Sequence, residues 1–297
     1  MVLKRLWIDE ADAAQKIAAS EAPDFVKQAA LDIAEHGFAI LRGVHDPALC
    51  SAVTDDYHRW VAANESYAGT QRDDLGRQKR LVNFHHASEN ALKIGMNPAL
   101  LAVQDFLFGH KTAIYTSLTF QFGTLQPVHR DVPHFATWPD NYFFGVWTAL
   151  EDIDPDAGPL FYHPGAHRWQ VDHHAILDRL VAQHPEKTPQ ELYELALQGY
   201  YGVVIEEAPN YGQPVLAQMN KGDVAIWHAQ TPHGGSMARN PLLSRWSIVF
   251  HNTPEQVQVH HHDRYFGHRS AAPPPGRYGF RDHQGRKIAL AGETQFM

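Results

Sequence analysis

The sequence predicts a mainly β fold with flanking helices, built as a sandwich or barrel, on three observations. Six short β-like runs fall between Thr112 and His251, separated by clusters of Gly, Pro and Asp. Helical periodicity is confined to the stretch before Gly109 and to one interval, Val171 to Tyr200, inside the β region. With 297 residues, 44% of them hydrophobic, the chain can bury a substantial core, and a single domain over 1–297 accommodates the whole pattern.

Residues 1–66 form the N-terminal helical flank. Ala11 to Glu35 is Ala-rich, with Phe25, Ala29, Ile33 and Ala34 at helical spacing, which predicts two short helices stopped by Gly37. Phe38 to Leu41 is a strand. Asp46-Pro47 opens a helix that runs through Trp60, its proline in the first turn where a missing N–H costs little. Gln71 to Arg80 is polar, charged and aperiodic, hence a loop, whereas Pro98 to Phe108 is a helix ended by Gly109.

The β core is expected over 110–252, with strands at Thr112 to Phe122, Tyr142 to Leu150, Leu160 to His163, Val215 to Met219, Val224 to His228 and Ser244 to His251. A helical insertion occupies 171–200, where Thr188-Pro189-Gln190-Glu191 supplies an N-cap, a proline at the first helical position and an acidic first turn. The tail, 253–297, contains Pro273-Pro274-Pro275 and little periodicity, and is expected to be an extended arm.

A formal charge of -8 argues against nucleic-acid and anionic-membrane surfaces, which need clustered Lys and Arg. A small-molecule partner is the expectation, and the oligomeric state is open. The single cysteine, Cys50, rules out an internal disulfide and a Cys-based zinc site, so a reducing compartment, the cytoplasm, is expected. Lys4 and Arg5 are followed by Trp7-Ile8-Asp9-Glu10 rather than by an apolar leader, and no run reaches membrane-spanning length.

The chemistry-bearing feature is His129-Arg130-Asp131, followed about a hundred residues later by His233-Gly234-Gly235-Ser236. Two imidazoles and one carboxylate on one face of an octahedron make a non-haem iron(II) site with open positions. The triplet follows a strand and turn, Gly123 to Pro127, so alternation directs His129 and Asp131 to one face. His261-x-Asp263 has the same spelling but lies in a histidine run by the tail, and reads as solvated surface. His228, on the strand before His233, competes as third ligand and reads instead as a packed histidine. His163 and His167 have metal-pair spacing, but Pro164-Gly165 prevents the helix that would align them. Arg245 lies in an apolar run, where an inward guanidinium needs a buried anion and could clamp a carboxylate at two points. Arg239, in a polar loop, is the weaker clamp.

In four ordered pieces the chain resembles the phytanoyl-CoA dioxygenase family of iron(II)/2-oxoglutarate oxygenases. They are His129-Arg130-Asp131, Val146-Trp147-Thr148-Ala149-Leu150-Glu151-Asp152, Gly158-Pro159-Leu160 with His163-Pro164-Gly165-Ala166-His167, and Gly222-Asp223 through His233-Gly234-Gly235-Ser236 to Arg245. The resemblance implies a double-stranded β-helix, a cupin-like jelly roll that brings His129, Asp131 and His233 together as ligands of Fe(II). It also implies 2-oxoglutarate and O2 as cosubstrates, with Arg245 on the distal carboxylate, Ser236 a hydroxyl partner, and Gln121 and Trp147 as walls. The implied reaction hydroxylates a small metabolite and releases succinate and CO2. Halide-transferring relatives replace the carboxylate that Asp131 retains. The alternative is a cupin-like metal protein, a lyase, isomerase or non-catalytic binder, that uses the triad without 2-oxoglutarate.

His134, Phe135 and Trp138 directly follow the triplet and are candidates for the substrate pocket, although aromatics at a barrel mouth are as often core. Arg77, Lys79 and Arg80 could receive an anionic substrate group, against the plainer reading of a solvated loop neutralised by Asp73 and Asp74. The identity of the substrate is not written in these residues.

Overall fold

The computed structural model describes residues 6–123, 126–270 and 272–297. Lys4 and Arg5, and Thr124 and Leu125 within the turn expected before His129, lie outside the described residues.

The N-terminal flank holds α1 (Ala13–Ala19), α2 (Asp24–His36), β1 (Phe38–Leu41), α3 (Pro47–Ala63) and a single turn, α4 (Glu65–Ala68). Val26, Ala29, Ala30 and Ile33 form the buried stripe of α2. Gly37 ends that helix in the left-handed region, at φ 85°, where a Cβ would also collide with His167 and Thr231. Asp46 caps α3 as expected, accepting from the Ala48 N–H at 2.8 Å. Next come β2 (Leu81–Val82), α5 (Glu89–Gly95) and α6 (Pro98–Phe108), the last capped by Asn97 and stopped by Gly109. Neither β2 nor α5 is long enough to develop a period, so neither was legible in the sequence.

The core strands are β3 (Thr112–Phe120), β4 (Ala136–Thr137), β5 (Phe144–Ala149) and β6 (Leu160–Tyr162). After α7 (His173–Gln183) and α8 (Pro189–Tyr211) follow β7 (Val215–Leu216), β8 (Val224–His228), β9 (His233–Gly235) and β10 (Ser247–Pro254). The C-terminal part adds β11 (Val259–His260), α9 (His262–Gly267), β12 (Phe280–His283), β13 (Arg286–Ala289) and β14 (Gln295–Phe296). Nine strands form one sheet along β1-β8-β5-β10-β3-β13-β12, with β2 joined to β3 and β14 to β2; β7-β6-β9 is a second, smaller sheet and β11-β4 a third.

Alternation along the large sheet sorts its two faces. Val146, Ile226, Ile248 and Phe250 pack outward with Ile33, Val53 and Leu100 of the helices. Trp147, Trp227 and Val249 turn the other way and pack with Leu160 and Tyr162 of the small sheet. Gly145 matters here, because a side chain on it would occupy the space of the Trp227 indole. The space between the two sheets is where the candidate site lies.

Four expectations need correction. The insertion does not end at Tyr200: α8 continues to Tyr211 because its buried stripe, Leu192, Ala196, Tyr200, Val204 and Ala208, keeps a four-residue spacing up to Pro209 in the last turn. The run Val215 to Met219 yields only β7, whose two residues are both exposed. The run expected from Ser244 begins its strand at Ser247, leaving Arg245 in the preceding loop. The tail is not a free extended arm: β12 and β13 form a hairpin around Gln284 and Gly285, both at positive φ, and Ile288 pairs in parallel with Ile114 of β3.

Candidate metal centre

His129 and His233 pair as an isolated antiparallel bridge, which joins the segment after β3 to the start of β9. Residues opposite each other in an antiparallel pair project to one side, and the two imidazoles lie 4.4 Å apart, centroid to centroid. Asp131, two residues beyond His129, brings its carboxylate to the same point. One donor atom from each of the three lies within 4.8 Å of the others, and all three residues are buried. His129 Nε2 is 3.5 Å from Asp131 Oδ1, and His233 Nε2 is 3.7 Å from Oδ2.

Both imidazoles are fixed in the same way. Nδ1 of His129 lies 2.9 Å from the Pro127 carbonyl and Nδ1 of His233 2.9 Å from that of Thr231, each two residues back in sequence. A carbonyl can only accept, so the Nδ1 proton donates to it and the Nε2 lone pair is left for the shared point. Burial pushes the His233 imidazole down to about 4, against the opposing pull of Asp131, so it is neutral at pH 7. Burial works against ionisation of Asp131, but the neighbouring His233, with His129 and His251, holds its carboxyl well below the usual carboxylate range. The Trp227 indole N–H donates to Asp131 Oδ2 at 2.9 Å, and His251 Nε2 stands 3.3 Å from the same oxygen.

Arg245 forms part of the wall of the same cavity, a space of about 60 Å³ that His129, Asp131 and His233 also line. It is 2% exposed, and its loop is pinned on either side, with the Ser244 hydroxyl and the Trp246 N–H donating to Glu151. One guanidinium nitrogen donates to the Gly158 carbonyl at 2.7 Å, while Nε is buried without a partner among the described residues. Burial lowers its pKa to about 10, with the Tyr162 hydroxyl opposing, so the group stays cationic at neutral pH. Among the described residues no carboxylate pairs with it.

The other sequence candidates divide. Trp147 lines the cavity, but Gln121 lies outside it, in an adjoining groove, where its backbone carbonyl accepts the Arg245 N–H at 2.8 Å. Ser236 does not line it either; its hydroxyl donates to the Pro159 carbonyl at 2.7 Å. Phe135 stacks on the His251 ring at 3.8 Å, behind the site rather than in it. His134 packs beside Tyr201, and Trp138 faces a separate pocket with His268. His134, Phe135 and Trp138 are therefore not cavity walls, because the chain turns away directly after Asp131, where the His134 and Phe135 N–H groups both donate to the Asp131 carbonyl.

His228 is buried on the outer face of β8, 3.2 Å from Asp9, so alternation alone separates it from Trp227 and the centre. Arg239 pairs with Asp156 at the surface, and His163 meets the Gly212 carbonyl. Arg77 is held by Asp73 at 2.7 Å. Arg80 behaves otherwise: it lines the metal-site cavity, where burial lowers its pKa and the Asp131 charge opposes the shift.

Beyond the expected residues, His251, Trp227 and Gln126 line the cavity, and so does Arg80, one of the three basic loop residues that could receive an anionic substrate group. The parity that places Val249 inward also places His251 there, and the parity that excludes His228 selects Trp227, so those two were legible. Gln126 sits in an aperiodic segment and left no such signal, and Arg80 stood out only as one of three loop cations, with nothing to separate it from Arg77 and Lys79.

The donor set fits a first-row divalent ion: two oriented Nε2 lone pairs and an anionic oxygen need contract only modestly to reach metal–ligand distances of about 2.0–2.2 Å. The unpaired Arg245 guanidinium fits a dianionic acid bound alongside. A larger cleft of about 840 Å³ lies between α1, α2 and the outer face of the sheet, where His228 Nε2 lies 3.2 Å from Asp9.

A family profile described as phytanoyl-CoA dioxygenase matches residues 33–245. Peroxisomal phytanoyl-CoA dioxygenase of Mus musculus is 29% identical over 108 residues, 36% of this chain, and the match spans only 28% of that relative's length. Among solved structures, the epimerase SnoN in complex with Fe3+, alpha ketoglutarate and nogalamycin RO superposes with a TM-score of 0.61 at 15% identity, over 90% of this chain and 99% of that one. EctD from S. alaskensis with 2-oxoglutarate and 5-hydroxyectoine gives a TM-score of 0.60 at 15% identity, over 91% and 89%. The carbocyclase SnoK gives 0.59 at 16%, over 84% and 94%. At these identities the likeness is one of fold.

Proposed function

The chain belongs to the phytanoyl-CoA dioxygenase family, which uses Fe(II), 2-oxoglutarate and O2, and from that premise we propose that it is an oxygenase hydroxylating a small-molecule metabolite. His129, Asp131 and His233 would hold the iron, which with 2-oxoglutarate and dioxygen supplies the oxidising power when bound. The chain's own residues do the rest. The Pro127 and Thr231 carbonyls orient the two imidazoles, Arg245 holds the distal carboxylate of 2-oxoglutarate, and Trp147 and Leu160 help shield the cavity from bulk water.

The observation that carries this reading is the buried guanidinium of Arg245, without an anion among the described residues, in the wall that also holds the triad. A cupin-like protein that ignored 2-oxoglutarate would have no use for an unpaired buried cation there. We read the two facing sheets as a double-stranded β-helix, the jelly roll, within a single domain that α7 and α8 interrupt. Cys50, buried and unpaired, suits a reducing compartment such as the cytoplasm. Among the described residues no helix is long and apolar enough to cross a membrane.

Anaerobic titration with Fe(II) and 2-oxoglutarate tests the reading. A visible charge-transfer band, absent in His129→Ala, is expected; a native chain that binds neither iron nor 2-oxoglutarate overturns it. A product carrying one added oxygen from O2 supports hydroxylation, and a product with unchanged composition refutes that part.

A further inference from the structure

Asp131 is held asymmetrically. Oδ2 accepts the Trp227 indole N–H at 2.9 Å and lies 3.3 Å from His251 Nε2 and 3.7 Å from the His233 Nε2 lone pair, whereas Oδ1 meets only His129 Nε2, at 3.5 Å, and no N–H donor among the described residues. The other nitrogen of His251, Nδ1, is buried without a partner among the described residues. A neutral imidazole carries one N–H, and on Nε2 that proton reaches a carboxylate, whereas on Nδ1 it would reach nothing. Oδ2 is thus faced by two N–H donors, one from β8 and one from β10.

Neither donor is free to leave. The His251 ring is stacked on Phe135 at an interplanar angle of 12°. The Trp227 indole occupies the space left by the absent side chain of Gly145.

A carboxylate whose one oxygen is committed to N–H donors binds a cation through the other. We propose that Trp227 and His251 are positioning residues that keep Asp131 a one-oxygen ligand. The consequence is a count of coordination positions: with two imidazoles and one oxygen, about three positions of an octahedron stay open, whereas a chelating Asp131 would leave about two. A cosubstrate that chelates through two atoms, together with dioxygen, needs the larger number. This inference rests on the metal-site reading above and sharpens it.

Mn(II) is a suitable probe, because the relaxation rate of solvent protons counts the exchangeable waters on the bound ion without any turnover. Native protein should carry about three such waters per Mn(II), and Trp227→Phe and His251→Ala about two, with Mn(II) affinity weakened about 10-fold. His251→Gln, which restores an N–H donor, should recover the native relaxivity. Native relaxivity in both Trp227→Phe and His251→Ala overturns the proposal. Thermal unfolding of each variant shows whether it folds, and if Trp227→Phe does not, the His251 pair decides the matter alone. A native chain that fails to bind Mn(II) or Fe(II) at all sinks the metal-site reading instead, so the two failures are distinguishable.

Discussion

His129 and His233 exchange both of their backbone hydrogen bonds, the His129 N–H donating to the His233 carbonyl at 2.9 Å and the His233 N–H to the His129 carbonyl at 3.0 Å. Two residues about a hundred positions apart in sequence are thereby locked in register, and a shift of one residue on either side would turn one imidazole away from the centre. The peptide backbone, more than any side-chain packing, sets the distance between the two metal-binding nitrogens.

His233→Ala should therefore abolish Fe(II) binding while His228→Ala leaves it unchanged, although only four residues separate them. Loss of a hydrogen-bonding partner around a metal typically costs about 10–100-fold in affinity, and loss of a ligand itself should exceed that. Anaerobic calorimetric titration of both variants with Fe(II) makes the comparison. Equal affinities in the two variants would mean that the centre is not built on β9.

Arg245→Met should weaken 2-oxoglutarate binding and spare Fe(II) binding. Truncating one partner of a buried, hydrogen-bonded charge pair costs about 2–5 kcal/mol, or roughly 30- to several-thousand-fold in affinity. Arg239→Ala should change neither, since Arg239 is engaged with Asp156 at the surface. If Arg245→Met binds 2-oxoglutarate like the native chain, the alternative of a metal protein without this cosubstrate gains the ground that hydroxylation loses.

The sequence made the triad legible because a strand, a turn and a two-residue spacing are enough to put His129 and Asp131 on one face. It made Arg245 legible through an energetic argument, that a cation inside an apolar run must find an anion, even though the residue proves to lie just before β10 rather than on it. What it could not show was where the chain goes after Asp131. There the His134 and Phe135 N–H groups fold back onto the Asp131 carbonyl, and the aromatics expected at the pocket leave it. Arg80 was legible only as one of three loop cations that could receive an anion, since a cation in a polar loop carries no burial signal until β2 and β14 draw it against the cavity.

Phe296→Ala should cost about 3–5 kcal/mol of stability, the range for emptying a buried aromatic site. Phe296 is 6% exposed and sits among the Tyr57, Trp60 and Tyr67 rings at 5.6–6.5 Å, although the tail that carries it shows no periodicity. The adjacent Met297 N–H donates to the Arg80 carbonyl, so the same substitution loosens one wall of the cavity. Urea denaturation measures the first effect. A loss well under 1 kcal/mol would show that β14 is not a working part of the fold.

Acid should destabilise the protein in a window set by buried and half-buried imidazoles away from the metal centre. Burial holds His45 and His173 at about 4; burial, with help from His228 and Arg168, holds His167 at about 3; the ordinary value is 6.5. Each of the three has its folded-state pKa below its unfolded one, so between those values the unfolded chain takes up protons that the folded chain refuses. The stability they contribute is complete above about pH 6.5 and is lost as pH falls toward 4 and then 3. The urea midpoint should accordingly be level between pH 7 and pH 8 and fall steadily from pH 6.5 to pH 4. His173, stacked on Tyr265 at 4.1 Å, offers the internal control, because His173→Phe keeps the stacking and removes one titrating group. That variant should lose part of the slope between pH 6.5 and pH 4 without losing midpoint at pH 8, and an unaltered slope would mean that this imidazole titrates as freely in the folded chain as in the unfolded one.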